Sequence, residues 1–206
     1  ASAETRAQEA AREFIAAVRP EDRIGTILFS TKSSVIHTPT ERRDLSLKAI
    51  DEYVADGGTA LYDALYDSLE QVATAQGRRA VVVVTDGRDE NAKSNGPGSL
   101  RTWEDVLQLL TRSEAAVYAV GIGSRVDRER LRELAQRSGG AAYFPTAVTA
   151  LAADYPKILD ELRRRYVVGY ESTNRVRNGE WRKVDIQVAQ QGAVVRSRGG
   201  YYAPPQ

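Results

Sequence analysis

Two loops carry the residues of this chain with the best chemical prospects. Val81 to Val84 followed by Thr85-Asp86-Gly87 reads as a strand that ends in an acidic turn. Four successive β-branched residues suit a strand covered on both faces. Upstream, Gly57-Gly58-Thr59-Ala60-Leu61-Tyr62-Asp63 is a permissive turn that delivers a hydroxyl and opens a helix at Thr59 or its neighbour. Open α/β sheets keep their ligands at the carboxyl ends of their strands, so Thr59 and Asp86 are expected at one crevice. One carboxylate and one hydroxyl make half of a hard-cation site.

The elements that must position these loops follow from periodicity. Residues 3–18 place Ala7, Ala10, Ala11, Phe14, Ile15 and Val18 at helical spacing, and Arg19-Pro20 closes the run. Arg23 to Ser30 reads as a strand and Ser34 to His37 as a shorter one, which Pro39 confines to an edge. Ser46 to Val54 is a second helix. A third carries Leu61, Leu65, Leu69 and Val72 on one stripe and stops at Gly77. Strand 80–85, an exposed loop over 88–99, a helix over 100–113, strand 115–121, helix 127–138, strand 141–144 and helix 147–165 complete the alternation of a doubly wound, mostly parallel α/β sheet.

After Arg165 the pattern changes. Tyr166 to Glu171, Lys183 to Gln190 and Ala193 to Tyr202 read as three antiparallel strands, separated by Asn178-Gly179 and Gln191-Gly192. The chain of 206 residues thus divides into an α/β domain over 1–165 and a C-terminal β extension over 166–206. The net charge of +1 provides no basic field for nucleic acid or for an acidic membrane surface. No apolar run is long enough to span a bilayer. The absence of Cys excludes disulfides and thiolate metal sites, and His37 alone cannot build a multi-His centre or the usual His-dependent nucleophile arrangements. The chain opens at Ala1 and contains no Met, which leads us to expect residues upstream.

GGTALYDAL at 57–65, VVVVTDG at 81–87, AVYAVGIG at 116–123 and the strand from Asp22 to Ser30 together resemble a von Willebrand factor A domain. RRRYVVGYESTN at 163–174 and VRSRGGYYAP at 195–204 resemble the bacterial "VWFA-related" family best known from Acidobacteria. The resemblance implies a Rossmann-like fold and a metal-ion-dependent adhesion site built from a D-x-S-x-S loop, a Thr and an Asp. Thr59 matches the motif threonine and Asp86 the motif aspartate. It further implies Mg²⁺, or Mn²⁺ or Ca²⁺ in its place, a protein partner whose carboxylate completes the coordination, and an extracytoplasmic setting in a bacterium. The strand that carries D-x-S-x-S belongs ahead of the first helix and is not among these residues. Without it a central position of the sheet is open, to be filled by upstream residues or by another polypeptide.

Several other residues have simpler readings. Asp89 and Glu90 follow the metal-type loop but read as solvated loop acids, and Gly121-Ile122-Gly123 lacks the third glycine of a dinucleotide fingerprint because Val126 stands there. His37 is expected at the surface near an edge strand. Arg163, Arg164 and Arg165 suit the negative end of a helix dipole. Trp181, Arg196, Arg198, Tyr201 and Tyr202 are residue types enriched at interfaces, although packing of the extension accounts for them equally. No G-x-S-x-G, P-loop or Cys nucleophile is present, so a non-enzymatic interaction module is expected. The alternative is a metal-free structural subunit of a larger assembly.

Overall fold

The computed structural model of the chain describes residues 3–54, 56–85, 88–146, 150–166 and 168–203. Helix α1 (Ala3–Ala17) leads into an antiparallel pair, β1 (Ile24–Phe29) and β2 (Ser33–Thr40). Helices α2 (Arg43–Glu52) and α3 (Leu61–Ala73) bring the chain to β3 (Ala80–Thr85). Helix and strand then alternate through α4 (Trp103–Ser113), β4 (Ala116–Gly121), α5 (Arg128–Ser138), β5 (Ala141–Tyr143) and α6 (Leu151–Arg164). β3, β4 and β5 form a parallel sheet in that order, as the α/β pattern predicts. β2 runs longer than expected and includes Pro39, which an edge strand tolerates.

Every residue of β4 is buried, because helices cover both faces of its sheet. Val117 and Ala119 join Leu61, Leu65 and Leu69 of α3, Val106 and Leu110 of α4, and Leu131 and Leu134 of α5. The opposite face of the strand sends Ala116, Tyr118 and Val120 against Tyr155 and Ile158 of α6, with Phe14 of α1 at the margin. Each Leu-sized side chain in these layers contributes about 1.5–3 kcal/mol by leaving water. No helix among the described residues is long and apolar enough to cross a membrane.

The sheet is interrupted. β1 and β3 do not pair, and a cavity of about 1070 Å³ lies between them, lined by all of Ile24–Phe29 and all of Ala80–Thr85. The two strands run in the same direction. Beyond their carboxyl ends, the Ala60 N–H donates to Ser30 O (2.6 Å) and Thr59 pairs with Glu90. At their amino ends, Arg78 donates to the Leu162 and Arg163 carbonyls of α6, and Arg163 donates to Ala17 O shortly before β1. Ala64, Leu65 and Val72 of α3 line one face of the cavity; Phe14 and Ile15 of α1, with Tyr155 and Leu159 of α6, line the other. The open neighbour corrects one expectation for β3. Val81 and Val83 are buried, but Ala80, Val82 and Val84 are only half-buried.

The start of α3 is organised from outside the helix. Its N-cap is Ala60, which has no side-chain acceptor, so Thr59 does not cap the helix. Asp89 reaches across instead and accepts from the N–H of Tyr62 (3.1 Å), while Ser99 Oγ accepts from the N–H of Asp63 (3.0 Å). The same Asp89 carboxylate also accepts from the N–H groups of Gly98 and Ser99 and from the Ser99 hydroxyl. The Asp63 carboxylate returns the favour to the N–H groups of Leu100 and Arg101. These bonds satisfy helix-end donors that would otherwise lack partners, and they tie the 88–101 loop to α3. The loop hands over to α4 through a capping box formed by Thr102 and Asp105, so the helix starts at Trp103 rather than at 100.

The C-terminal extension pairs two short strands rather than three. β6 (Trp181–Lys183) and β7 (Gly200–Tyr202) are antiparallel, and Tyr166 to Glu171 contributes no strand among its described residues. The register of Trp181 with Tyr202 and Lys183 with Gly200, carried onward, converges on the expected turn at Gln191-Gly192. Gly192 supplies the positive φ (78°) that this turn needs, and Ala193 N–H donates to Gln190 O. Between turn and strands most of the chain is exposed, with Val184, Ser197 and Arg198 half-buried, and among the described residues no further strand flanks the hairpin.

Replacing Asp89 by Ala removes an acceptor shared by several donors and is expected to cost about 2–3 kcal/mol in urea unfolding, with Asp89→Asn milder because it keeps one carbonyl oxygen. In the extension, hydrogen bonds from Ser172, Tyr170 and Arg182 pull the Tyr201 phenol down to about 8. Its folded value lies below the unfolded one, so the stabilisation it brings is full at high pH and fades as pH falls through about 8. Ultraviolet titration is expected to show one phenol ionising there, and Tyr201→Phe to remove it.

Candidate functional site

Three segments meet beyond the carboxyl ends of β1 and β3. The turn after β1 contributes Thr31, whose hydroxyl donates to Asp56 O (2.6 Å) and accepts from Gly58 N–H (3.1 Å). The loop ahead of α3 then runs beside the loop after β3. Thr59 N–H donates to Glu90 O (2.7 Å), and Glu90 N–H donates to Thr59 O (3.2 Å). Gly98 closes over this bridge so tightly that an added Cβ would sit 2.3 Å from Thr59 O and 2.6 Å from Glu90 O. Thr59 is therefore half-buried on a fixed backbone, lining the mouth of the cavity between β1 and β3 together with Ser30, Thr85 and Glu90.

Asp86, the other expected ligand, lies outside the described residues, as does Gly87. Thr85 before it is buried at the end of β3, where its carbonyl accepts from Ile122 N–H (2.9 Å). Of the two acids that follow, Asp89 is engaged in holding the loop, and Glu90 works through its main chain. Sequence reading undervalued both. Among the described residues no three His, Cys, Asp or Glu side chains converge as a metal-holding group. The residues that line this mouth, Ser30, Thr59, Thr85 and Glu90, all carry side-chain oxygen, the donor type that hard cations take.

His37 is half-buried rather than simply at the surface. Its Nδ1 faces Thr38 O (3.0 Å) and its Nε2 faces Ser46 Oγ (3.0 Å), which accepts from the Thr26 hydroxyl (2.8 Å). With Nδ1 as donor to the carbonyl, protons run in one direction along Thr26, Ser46 and His37. This pair of serine and histidine holds β1, β2 and α2 together. Ser46 is fully buried, so its hydroxyl has no route to a substrate.

Arginines stacked on aromatic rings surround the same end of the α3–α4–α5 layer. The Arg101 guanidinium lies 4.1 Å from the Tyr66 ring centre. Arg130 sits 5.2 Å from Tyr62 and 5.4 Å from Trp103, and it donates to the Tyr62 hydroxyl. Arg128 and Arg132 stack on Phe144 at 5.2 and 4.9 Å. Burial pushes the Tyr62 phenol up, opposed by Arg130. Helical spacing makes Arg128 and Arg132 neighbours on α5, a signal present in the sequence, whereas their shared ring at Phe144 comes from tertiary folding.

A UPF0353 protein of Mycobacterium leprae is 24% identical over 203 residues, covering 88% of this chain and 59% of that protein. The chain thus spans less than two thirds of that relative's length. Among solved structures, a von Willebrand factor type A protein from Catenulispora acidiphila superposes with a TM-score of 0.63 at 19% identity, over 77% of this chain and 38% of that one. Proximal thread matrix protein 1 from the mussel byssus, solved with a zinc-occupied MIDAS motif, gives 0.61 at 17% identity over 78% and 43%. These likenesses establish a shared fold. The family model for the von Willebrand factor type A domain matches residues 4–157, well over half of the sequence, and the chain belongs to that family.

Proposed function

We propose that this protein is a non-enzymatic interaction module that engages a protein partner through a divalent cation, Mg²⁺ or in its place Mn²⁺ or Ca²⁺, with Thr59 and Asp86 among the ligands. The observation that carries this reading is the division of labour at the start of α3. Asp89 and Ser99 satisfy the helix donors, so the helix makes no demand on Thr59, which stands at the mouth on a clamped backbone. Thr59 would contribute a hydroxyl oxygen and Asp86 a carboxylate. A D-x-S-x-S turn from outside these 206 residues would complete the protein's share. The bound cation supplies a positive charge with a coordination position that a partner's carboxylate can take. The zinc-occupied mussel protein supports the reading through its shared fold.

In this reading residues 1–165 are the module and 166–206 an extension, in an extracytoplasmic bacterial setting. A second reading, a metal-free structural subunit, draws support from the exposed Tyr166, Val168, Tyr170 and Val194 of the extension. Residues of this kind are common at interfaces.

Calorimetric titration of the full-length protein with Mg²⁺ or Mn²⁺ is expected to show one saturable site. Asp86→Ala should abolish it and Thr59→Ala weaken it roughly tenfold, about 1.4 kcal/mol. No heat, or heat indifferent to Asp86→Ala, would decide against the cation. Gly98→Ala must displace the Thr59 carbonyl, which is expected to cost about 1–3 kcal/mol in urea unfolding and to lower cation affinity in the same titration.

A further inference from the structure

The C-terminal extension brings two phenols together. Tyr170 and Tyr201 have ring centres 6.2 Å apart with planes at 74°, and among the described residues no other ring pair joins two tyrosines. The Tyr170 hydroxyl donates to the Tyr201 oxygen, which also accepts from the Ser172 hydroxyl and lies 3.5 Å from Arg182 Nη1. Arg182 is fixed in turn, because it donates to Ser172 Oγ (3.3 Å) and to the carbonyls of Asn174 (2.6 Å) and Val176. The 170–176 segment is thereby strapped across β6 and β7. Tyr170 is 59% exposed and Tyr201 half-buried, at an open hollow of about 420 Å³ that Glu171 and Lys183 also line, so a small solute reaches both phenols.

Electrons leave this pair more easily than they leave isolated tyrosines. With three donors aimed at its oxygen, the Tyr201 phenol ionises at about 8, below its ordinary value. An anion that loses an electron becomes a neutral radical, whereas a neutral phenol must also discharge a proton. Tyr170 keeps its own proton, and that proton has an acceptor in place in the Tyr201 oxygen. Other tyrosines are placed differently: Tyr62 and Tyr66 lie under guanidinium groups, Tyr118 and Tyr155 are buried, Tyr143 faces Glu161, and Tyr202 packs on Trp181. The extension also gains from a tether. Its strands hold three residue pairs, and a chain without Cys has no disulfide to close them.

We propose that Tyr170 and Tyr201 are an oxidative cross-linking site, where a peroxide acting in one-electron steps joins the two rings through a carbon–carbon bond and staples the 170–176 segment to β7. Each phenol gives up one electron and one proton and becomes a phenoxyl radical. The radicals couple at ring carbons next to the oxygen-bearing carbon, and the hydrogens on those carbons move to the two oxygens, restoring both phenols. The O–O bond of the peroxide breaks as it takes up the two electrons and two protons, and two molecules of water leave. The new bond closes the chain between 170 and 201 and removes freedom from the unfolded state as a disulfide does. No cation takes part, so the site stands apart from the metal reading.

The test treats the dilute 206-residue chain with hydrogen peroxide and a haem peroxidase, with free N-acetyltyrosine amide in a parallel tube to show that the oxidant works. The expected product is a monomer with the blue fluorescence of dityrosine. Trypsin should leave peptide 166–175 joined to peptide 199–206 at two hydrogens below their summed mass, and fragmentation of that pair locates the bond in the unmutated chain. Tyr170→Phe and Tyr201→Phe should each cut the yield roughly tenfold or more, because the partner held in proximity is lost. Tyr202→Phe and Tyr166→Phe should leave it unchanged, although Tyr166 is the more exposed at 89%. The oxidised chain should also melt at a higher Tm than Tyr170→Phe treated in the same way. A bond through Tyr166 or Tyr202, cross-linked dimers alone, an unraised Tm, or no cross-link while the free tyrosine couples would overturn the proposal.

Discussion

A peptide group taken out of water must find a hydrogen-bond partner, and this requirement shapes most of the molecule. In β4 it is met by parallel neighbours on both sides, and the strand is accordingly the best buried of the fold. Where the ladder ends, side chains take over. Ser138, fully buried at the end of α5, accepts from Val117 N–H (2.9 Å) and donates to Ala135 O (2.9 Å), joining helix to strand. Asp89 does the same for the start of α3 and the loop that covers it. Among the described residues, the cavity side of β3 is an edge that no strand pairs with.

Much of the fold was legible in the sequence because its signals are local. The stripe of Leu61, Leu65 and Leu69 marked the buried face of α3, and the apolar runs marked β3 and β4. The T-x-x-D spacing at Thr102 and Asp105 was an equally local signal for the start of α4. The extension read less well. Alternation in 183–190 and 193–202 does suit strands, yet strands form only as far as neighbours hold them, and here three residue pairs are held.

The candidate site divides in the same manner. Thr59 could be singled out from its glycine-rich turn, but its release from capping could not, because that depends on Asp89 and Ser99, which lie far along the chain. Asp89 and Glu90 looked like ordinary loop acids for the same reason. Their roles rest on contacts across the loop pair, with Gly98 fitted against both carbonyls. The pairing of His37 with Ser46 was likewise hidden, since β2 and α2 bring them together.

The ring-stacked arginines have a consequence for how this end of the molecule meets charged surroundings. A guanidinium remains ionised at every pH a cell offers, and a ring face holds its plane without using its N–H fork. Arg101, Arg128 and Arg132 thus hold positive charges against ring faces, interleaved with Glu104, Asp105 and Glu129 in the first turns of α4 and α5. The reach of these charges is governed by ionic strength and extends only about 8 Å at physiological salt. At low salt an anion would feel these charges from farther away, and at high salt only one already in contact would.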